Sequence, residues 1–345
     1  MKEQGGDAGD TPPLAALLGI ATGYQLSKCL YVAAALGVAD ALAKGPLTVE
    51  DLAEEVGAHA VSLRRLLRAL VSAGVFAGDQ TGRFRLSPLA EFLRSDHPQS
   101  QRDFLMMTMA PWNWSTWNAL LHGVRTGENP FRHTHGMGGF EYLQKHPDEE
   151  IGFARAMRSI STGQNELIAG AYPFGDLTTL VDVGGAHGHM LSTILKAHTK
   201  LMGILFDQPQ VVAAPEARGF IAAPELAGRG KIVGGSFFES VPQGADGYIM
   251  KNILHDWDDE KAIHILTKCR DAMAENGRVI AVETVLKDGN EPDPGKLMDV
   301  DMMVGPGGKE RTETEFLDLF QRAGLKLTRI IPTGFMVSVI ESVRA

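Results

Sequence analysis

A glycine-rich turn between two apolar runs, with an acid after the second run, marks a candidate cofactor site. The segment Leu180-Val-Asp-Val-Gly-Gly-Ala-His-Gly188 joins four residues of buried-strand character to the turn, and a helical pattern follows it. A second apolar run, 202–206, ends on Asp207. Glycines let a backbone approach a ligand closely, and an acid at the end of the next strand can hold a ribose diol. The pattern predicts an α/β fold that binds a nucleotide-type cofactor.

The details of the turn favour one cofactor over another. It departs from the dinucleotide pattern G-x-G-x-x-G because Ala186 and His187 follow the first glycine pair. The loop from Gly184 to Gly188 is also short for a pyrophosphate. Asp182 suits a ligand with an amino-acid ammonium group, which a nicotinamide dinucleotide lacks. S-adenosylmethionine is therefore favoured over a dinucleotide, and a tight turn that binds no ligand is the third interpretation.

His255 has the chemistry of a general base. A phenol has a pKa of about 10 and a histidine a pKa of about 6.5, so a neutral imidazole is free to accept a proton near pH 7. Such a base must itself be oriented, and Glu283 and Glu310 are the candidates for this task. Asp256 and Asp258 signal a helix start directly after His255. A histidine that only hydrogen bonds to neighbouring aspartates is the alternative interpretation.

The elements that must position these residues are strands and helices, which alternate along the chain from residue 176 onward. Ligands of doubly wound sheets bind outside the carboxyl ends of the strands, which is where the polar candidates stand. The last two strands are close in sequence and predict a terminal antiparallel hairpin, which is typical of class I methyltransferases. The predicted strands are 179–183, 202–206, 231–234, 247–251, 278–284, 325–331 and 335–340, and the predicted helices are 189–197, 209–227, 259–274 and 312–323.

The first hundred residues predict a winged-helix-like dimerisation domain, 1–100. Apolar residues at helical spacing fill 14–43, Thr48 caps a second helix, and Ser62 opens an amphipathic third helix. The hydrophobic residues of 75–76 and 84–86 flank a short hairpin turn. Between Pro46 and Asp96, six Arg stand against seven Asp and Glu, a net charge of −1. A DNA-reading module should carry a basic excess, so we expect a homodimer contact and no nucleic acid.

The segment 101–175 predicts a helical linker that contributes to a substrate pocket, followed by a cofactor-binding catalytic domain, 176–345. Three tryptophans fall within six positions from Trp112. Most Met and aromatic residues here belong to a core, but flat aromatic and adaptable Met side chains also suit a planar apolar ligand. The candidate substrate contacts are Trp112, Trp117, Phe153, Met157 and, in the catalytic domain, Met303.

Composition excludes several classes of protein. The 345-residue chain has a net charge of −9, which argues against wholesale binding of nucleic acid or an anionic membrane. Two cysteines without zinc spacing indicate a reducing compartment, and no signal sequence or membrane span is evident, so we expect a cytoplasmic protein. His133-Thr-His135 and His187-Gly-His189 lack a third ligand at regular spacing, so no catalytic metal is expected.

Four features of the chain form a combination: Asp182-Val-Gly-Gly185, Asp207, Lys251 with His255-Asp-Trp257, and Gly307-Gly-Lys-Glu-Arg-Thr312. This combination resembles the caffeic-acid-type small-molecule O-methyltransferases. These include plant phenolic enzymes and bacterial antibiotic- and phenazine-tailoring enzymes, and the similarity spans nearly the whole chain. The resemblance implies that His255 accepts a proton between Glu283 and Glu310 while a hydroxyl of a small planar aromatic is methylated. The cofactor contacts expected from the turn, the strand ends and the resemblance are Asp182, Gly184, Gly188, Asp207, Gln208, Ser236, Phe237, Lys251 and, near the adenine, Trp257.

Departures from the family and rival functions accompany this interpretation. The family usually carries an Asp where Ser236 stands, so we expect weaker cofactor binding, and Ala186 stands where a third glycine is common. Some bacterial relatives hydroxylate or decarboxylate their substrates, and N-methylation needs no base, so His255 argues against both. A winged-helix regulator with a ligand-sensing domain is the rival from another class.

Overall fold

The computed structural model describes residues 12–161 and 163–345. The helices of the described residues are α1 Pro13–Ala35, α2 Val38–Leu42, α3 Val49–Glu55, α4 Ala60–Ser72, α5 Arg102–Thr108, α6 Pro111–Trp117, α7 Leu120–Thr126, α8 Pro130–His135, α9 Gly139–Lys145, α10 Pro147–Ser161, α11 Gln164–Ala171, α12 His189–Ala197, α13 Pro209–Val212, α14 Pro215–Ile221, α15 Asp259–Ala272, α16 Pro294–Val304 and α17 Glu313–Arg322. The strands are β1 Leu47–Thr48, β2 Phe76–Gly78, β3 Arg83–Leu86, β4 Thr179–Val183, β5 Met202–Asp207, β6 Gly230–Gly234, β7 Gly247–Lys251, β8 Arg278–Glu283, β9 Val285–Leu286, β10 Arg311–Thr312, β11 Leu325–Pro332 and β12 Ser338–Arg344.

These elements form two compact units that interleave along the chain. Of the described residues, 12–114 and 147–161 form the first unit, and 115–146 and 163–345 form the second. The segment 101–175, expected from the sequence as one linker, is therefore divided between both units. Within the described residues, no helix is both long and apolar enough to cross a membrane.

The first unit combines helices with a small antiparallel sheet. The sheet has the order β1-β3-β2; its strand β1 precedes the helices α3 and α4, and β2 and β3 follow them. Thr48 caps α3 as expected, since its side chain accepts a hydrogen bond from the backbone N–H of Asp51 at 3.2 Å. The prediction that Ser62 opens the next helix is wrong, because α4 begins at Ala60 after His59. Ser62 contacts His59 Nδ1 at 3.0 Å instead.

The second unit contains a seven-stranded sheet of order β11-β12-β8-β7-β4-β5-β6. Strands β4 to β8 pair in parallel, while β12 is antiparallel to both β8 and β11. Adjacent residues of a strand enter different apolar clusters: Leu180 and Ile249 lie in one cluster, whereas Val181 and Tyr248 lie in the other. Because side chains alternate across a strand, both faces of the sheet are covered. The α/β class and the terminal hairpin are confirmed.

The largest differences from the predicted elements lie at 209–227 and in the last strand, while other bounds differ by one or two residues. The helix expected over 209–227 is broken into α13, α14 and a 3-10 turn at Pro224–Leu226, and each piece begins at a proline. A proline cannot donate the backbone hydrogen bond that a continuous helix needs, but it suits the first turn. The last strand begins at Ser338 and extends to Arg344.

Candidate active site

The glycine-rich turn joins β4 to α12 in a left-handed backbone conformation. Gly184 and Gly188 have φ values of 71° and 80°, which glycine adopts without strain. Ala186 has a φ of 49°, although its Cβ makes this conformation costly by roughly 1–2 kcal/mol. The backbone N–H of Gly184 donates to the carbonyl of Phe206 at 2.8 Å, so the turn is joined to the end of β5.

Asp207 holds the turn from the end of β5. Its Oδ2 accepts from the backbone N–H of Ala186 at 2.8 Å, and its Oδ1 accepts from that of Gln208 at 2.7 Å. Burial raises the pKa of Asp207, although both N–H donors oppose the increase. The predicted cofactor residue Asp207 therefore lies directly against the turn, and Gln208, also predicted, binds Asp207 through its backbone N–H.

Asp182 is buried beneath the turn, with a side chain that faces the interior. A Cβ on Gly185 would lie 2.5 Å from the carboxyl carbon of Asp182. Within the described residues, neither carboxylate oxygen meets a donor at ordinary hydrogen-bond geometry. Burial and the charge of Asp207 raise the pKa of Asp182 to about 7, while the positive charge of Lys251 opposes this increase.

Lys251, at the end of β7, connects the sheet to α11. Its Nζ donates to Asn165 Oδ1 at 3.1 Å, and Asn165 Nδ2 lies 3.1 Å from His189 Nδ1. Burial lowers the pKa of Lys251 to about 8, because desolvation disfavours the ammonium form. Asn165 was not predicted as a site residue, since no spacing pattern connects it to a residue 86 positions further on.

Trp257, which follows β7, is surrounded by aromatic side chains, two of which follow β6. The ring of Trp257 stacks on Phe140 at 6.0 Å and meets Phe237 and Phe238 edge-to-face at 6.3 and 4.9 Å. The hydroxyl of Ser236 accepts from the backbone N–H of Phe238 at 3.3 Å. The predicted residues Ser236, Phe237 and Trp257 are thus close together, and Phe140, one of the aromatic residues of the segment 101–175, adds a further ring.

His255 stands between two buried carboxylates. Its Nδ1 lies 2.8 Å from Glu310 Oε1 and 4.0 Å from Glu283 Oε2. The other oxygen of Glu283 accepts from the backbone N–H groups of Ile253 and Leu254 at 3.0 and 2.8 Å. Glu310 therefore orients the imidazole, whereas Glu283 orders the backbone that carries it. With Nδ1 donating to Glu310, Nε2 is the ring nitrogen that remains to accept a proton.

The charges around His255 favour its protonated form. Burial opposes a charge on His255, but the carboxylates of Asp256, Glu310 and Glu283 outweigh burial and raise its pKa. Asp256 lies on the opposite side of the ring, with Oδ1 3.6 Å from Nε2. A positive charge near this cluster would lower the pKa of His255 by Coulomb repulsion.

The segment 307–312 packs against the backbone of His255. The backbone N–H of Lys309 donates to the His255 carbonyl at 2.9 Å, and a Cβ on Gly308 would lie only 1.9 Å from that oxygen. Arg311 is 1% exposed, and its guanidinium donates to the carbonyls of Leu254 and Trp257 and to Asp259. These contacts connect the motif at 251–257 to the motif at 307–312, which are separate in the sequence.

The second unit also contains two of the predicted substrate residues. Trp117 is the last residue of α6, and it is half-buried. Asn129 Nδ2 donates to the carbonyls of Met303 and Gly305 at 3.0 and 3.1 Å. The other three predicted substrate residues, Trp112, Phe153 and Met157, are half-buried in the first unit.

Among residues 12–161 and 163–345, two histidine and carboxylate clusters have the spacing of metal ligands. One contains His255, Glu283 and Glu310. The other contains His122, Glu128 and His133, with His122 Nε2 2.6 Å and His133 Nδ1 3.8 Å from Glu128 Oε2. The sequence did not indicate the second cluster, because its three members lie on two short helices and the turn between them.

A sheet with this order and terminal hairpin, together with the glycine turn and the acid after the second strand, defines a class I methyltransferase. The residues fit S-adenosylmethionine: Gly184, Gly185 and Gly188 add no side chains to the turn, and the buried Asp182 carboxylate has unused acceptors near Lys251. The chain matches the O-methyltransferase domain over residues 117–326 and the O-methyltransferase dimerisation domain over residues 18–96.

Known proteins agree with this class over nearly the whole chain. Phenazine O-methyltransferase PhzM of Lysobacter antibioticus is 41% identical over 335 residues, 97% of each chain. Mitomycin biosynthesis 6-O-methyltransferase of Streptomyces lavendulae is 37% identical over 331 residues, 94% of this chain and 93% of the relative. The S-adenosylhomocysteine-bound crystal structure of CalO1, a methyltransferase in calicheamicin biosynthesis, has a TM-score of 0.87 at 35% identity and covers 97% of this chain and 100% of that one.

The chain therefore belongs to the O-methyltransferase family with an N-terminal dimerisation domain. It is an S-adenosylmethionine-dependent O-methyltransferase of secondary metabolite biosynthesis.

Proposed function

We propose that the protein methylates a hydroxyl of a small planar aromatic, and that His255 is the proton acceptor. The observation that carries this proposal is the 2.8 Å contact between His255 Nδ1 and Glu310 Oε1. A carboxylate bound to Nδ1 fixes the ring and directs Nε2 toward the acceptor hydroxyl. The imidazole is only 13% exposed, so bulk water competes poorly for its proton.

The residues at the strand ends hold the cofactor. Asp207 binds the ribose, and Gly184, Gly188 and Gln208 border it. Ser236, Phe237 and Trp257 receive the adenine, while Lys251 and the buried Asp182 order the turn beneath the amino-acid portion. When bound, S-adenosylmethionine supplies an electrophilic methyl group on a positively charged sulfur.

That positive charge also affects the base. The carboxylates raise the pKa of His255 in the free protein, and a neighbouring cation lowers it again, so the neutral imidazole forms when the cofactor is bound. Holding the hydroxyl and the methyl donor in reacting geometry supplies most of the rate. No step requires a metal ion, so a chelator should leave turnover unchanged.

The acceptor is a flat phenolic compound. Trp117 and Met303 provide apolar contact area for the acceptor ring in the unit that contains His255. Contact of the acceptor with Trp112, Phe153 and Met157 stays a prediction. The two relatives named above act, by their names, on a phenazine and in mitomycin biosynthesis. The protein forms a homodimer through its dimerisation domain.

The test is the release of S-adenosylhomocysteine, measured by mass spectrometry against hydroxyphenazines, catechols, flavonoids and polyketide phenols. We expect release coupled to a product heavier by one methylene on an oxygen. Methylation of a nitrogen only, or oxidised or decarboxylated products, would contradict the proposal. Calorimetry of cofactor binding is the control that the protein is folded.

A further inference from the structure

Two histidines and a glutamate that the proposed function does not use lie together on the second unit. His122 is on α7, Glu128 is in the turn that follows α7, and His133 is on α8. Glu128 Oε2 is 2.6 Å from His122 Nε2 and 3.8 Å from His133 Nδ1, and all three ligand atoms lie within 4.8 Å of one another. Ligand atoms around a tetrahedral Zn²⁺ lie about 3.4 Å apart, so small rotations of these side chains would form a site.

The turn that carries these side chains is ordered by its own hydrogen bonds. Gly127 ends α7 with a φ of 75°, which glycine adopts without strain. The backbone N–H of Glu128 donates to Thr126 Oγ1 at 3.1 Å. Asn129 caps α8 by accepting from the backbone N–H of Arg132 at 2.8 Å. Because the backbone has its shape before any ion binds, little conformational entropy is lost on binding.

The donor atoms of the three side chains select the kind of ion. Two imidazole nitrogens and one carboxylate oxygen suit Zn²⁺ and neighbouring first-row ions, whereas Mg²⁺ and Ca²⁺ prefer oxygen ligands. The rings of His122 and His133 are stacked, with their centroids 3.7 Å apart and their planes 19° from parallel. Two charged rings at this separation would repel each other, which favours a neutral ring whose nitrogen can bind a metal. The hydrogen bond with His122 lowers the pKa of Glu128, so its carboxylate is ionised.

We propose that His122, Glu128 and His133 bind a divalent ion of the Zn²⁺ class, which stabilises the turn between α7 and α8. A hydrogen bond between His122 and Glu128 explains only one of the two contacts, whereas an ion accounts for both imidazole nitrogens lying near one carboxylate oxygen. The side chains are 31%, 51% and 47% exposed, so an ion can reach them and water can fill its remaining position. The site shares no residue with the His255 cluster, and the inference goes beyond the proposed function.

The test is Zn²⁺ binding to the full chain without an affinity tag, measured by isothermal titration calorimetry and by thermal melting. We expect Zn²⁺ to bind this site at least about 10-fold more weakly in His122→Ala, His133→Ala and Glu128→Gln than in the unsubstituted protein. Zn²⁺ should also raise the Tm of the unsubstituted protein, because an ion that binds only the folded state stabilises it. The Tm of the three variants should rise less at the same Zn²⁺ concentration.

His59→Ala is the matched control, because His59 is an exposed histidine that belongs to neither metal-ligand cluster, and Zn²⁺ binding should be unchanged. Glu310→Gln removes a ligand atom from the other cluster and should also leave this binding unchanged. Loss of Zn²⁺ binding in Glu310→Gln together with unchanged binding in His122→Ala would place the ion beside His255 and overturn the inference. The absence of Zn²⁺ binding by the unsubstituted protein would overturn it as well.

Discussion

At the scale of single residues, the carboxylates around His255 govern its protonation. Glu310 contacts Nδ1 at 2.8 Å, and Asp256 and Glu283 add negative charge nearby. The neutral form needed for proton acceptance therefore appears at higher pH than in an isolated histidine. The pKa of His255 falls back toward about 7 only when a cation lies next to the ring.

Replacing Glu310 by Gln should shift the pH–rate profile. Loss of one carboxylate removes a cause of the raised His255 pKa, so the pH at which turnover rises should move downward. Maximal turnover should fall about 10-fold or more, because an amide orients the imidazole less firmly. Steady-state kinetics from pH 6 to 10 measure both effects. An upward shift of the rising limb would show that Glu310 does not stabilise the protonated ring.

Ser236 is the residue at which cofactor affinity can be raised. A Ser hydroxyl offers an uncharged acceptor, whereas a carboxylate forms roughly twice as strong a hydrogen bond. Ser236→Asp should therefore tighten S-adenosylmethionine binding by about 10-fold in calorimetry. A dissociation constant below 1 μM before substitution, or no gain after it, would show that Ser236 does not limit binding.

At the scale of elements, Arg311 connects two segments that are distant in sequence, the segment 254–259 and its own segment 307–312. Its guanidinium satisfies the carbonyls on both sides of His255 and the Asp259 carboxylate. The planar fork of an arginine can reach these acceptors together, and a lysine ammonium cannot.

Arg311→Lys should destabilise the protein and misplace His255. Leaving buried carbonyls unpaired costs about 1–3 kcal/mol, which a thermal melt detects as a lower Tm, and turnover should fall as well. Arg322→Lys is the matched control, because Arg322 forms an exposed ion pair with Glu260 and should change little. Equal effects of the two substitutions would contradict this role of Arg311.

The sequence predicted elements better than the contacts between them. The runs at β4 and β7 matched the observed strands because buried parallel strands are continuous in hydrophobicity. The prediction of one long helix over 209–227 is wrong because the apolar periodicity continues across the prolines at 215 and 224, where the helix breaks. The contacts of Asn165 and Arg311 could not be predicted, since their partners are distant in sequence. His255, Glu283 and Glu310 lie together as expected because His255 follows β7 and Glu283 ends the adjacent strand β8.

At the scale of the whole molecule, the first unit has an apolar surface that a partner copy would cover. Leu14, Leu17 and Ile20 on α1 are 68%, 63% and 80% exposed. Large exposed aliphatic side chains grouped on one helix indicate a protein interface. The match of residues 18–96 to a dimerisation domain agrees with this use of the helix.

The double substitution Leu17→Lys and Ile20→Lys should convert a dimer to a monomer. Two charges in an apolar contact cost several kcal/mol in burial, and light scattering after size exclusion would measure the halved mass. Leu297→Lys is the control, because Leu297 is 68% exposed on α16 of the other unit. An unchanged mass for the double variant would place the dimer contact elsewhere.

The most direct test of the central claim is His255→Ala assayed with phenols of different acidity. A residue that only shapes the site would slow all acceptors equally. A general base matters most for an acceptor that must lose its proton during the reaction, and least for one already ionised. We expect a loss of about 100-fold or more with an unactivated phenol and a loss below about 10-fold with a nitrophenol ionised at neutral pH, while calorimetry gives unchanged cofactor binding. Equal losses with both acceptors would contradict the assignment of His255 as the base.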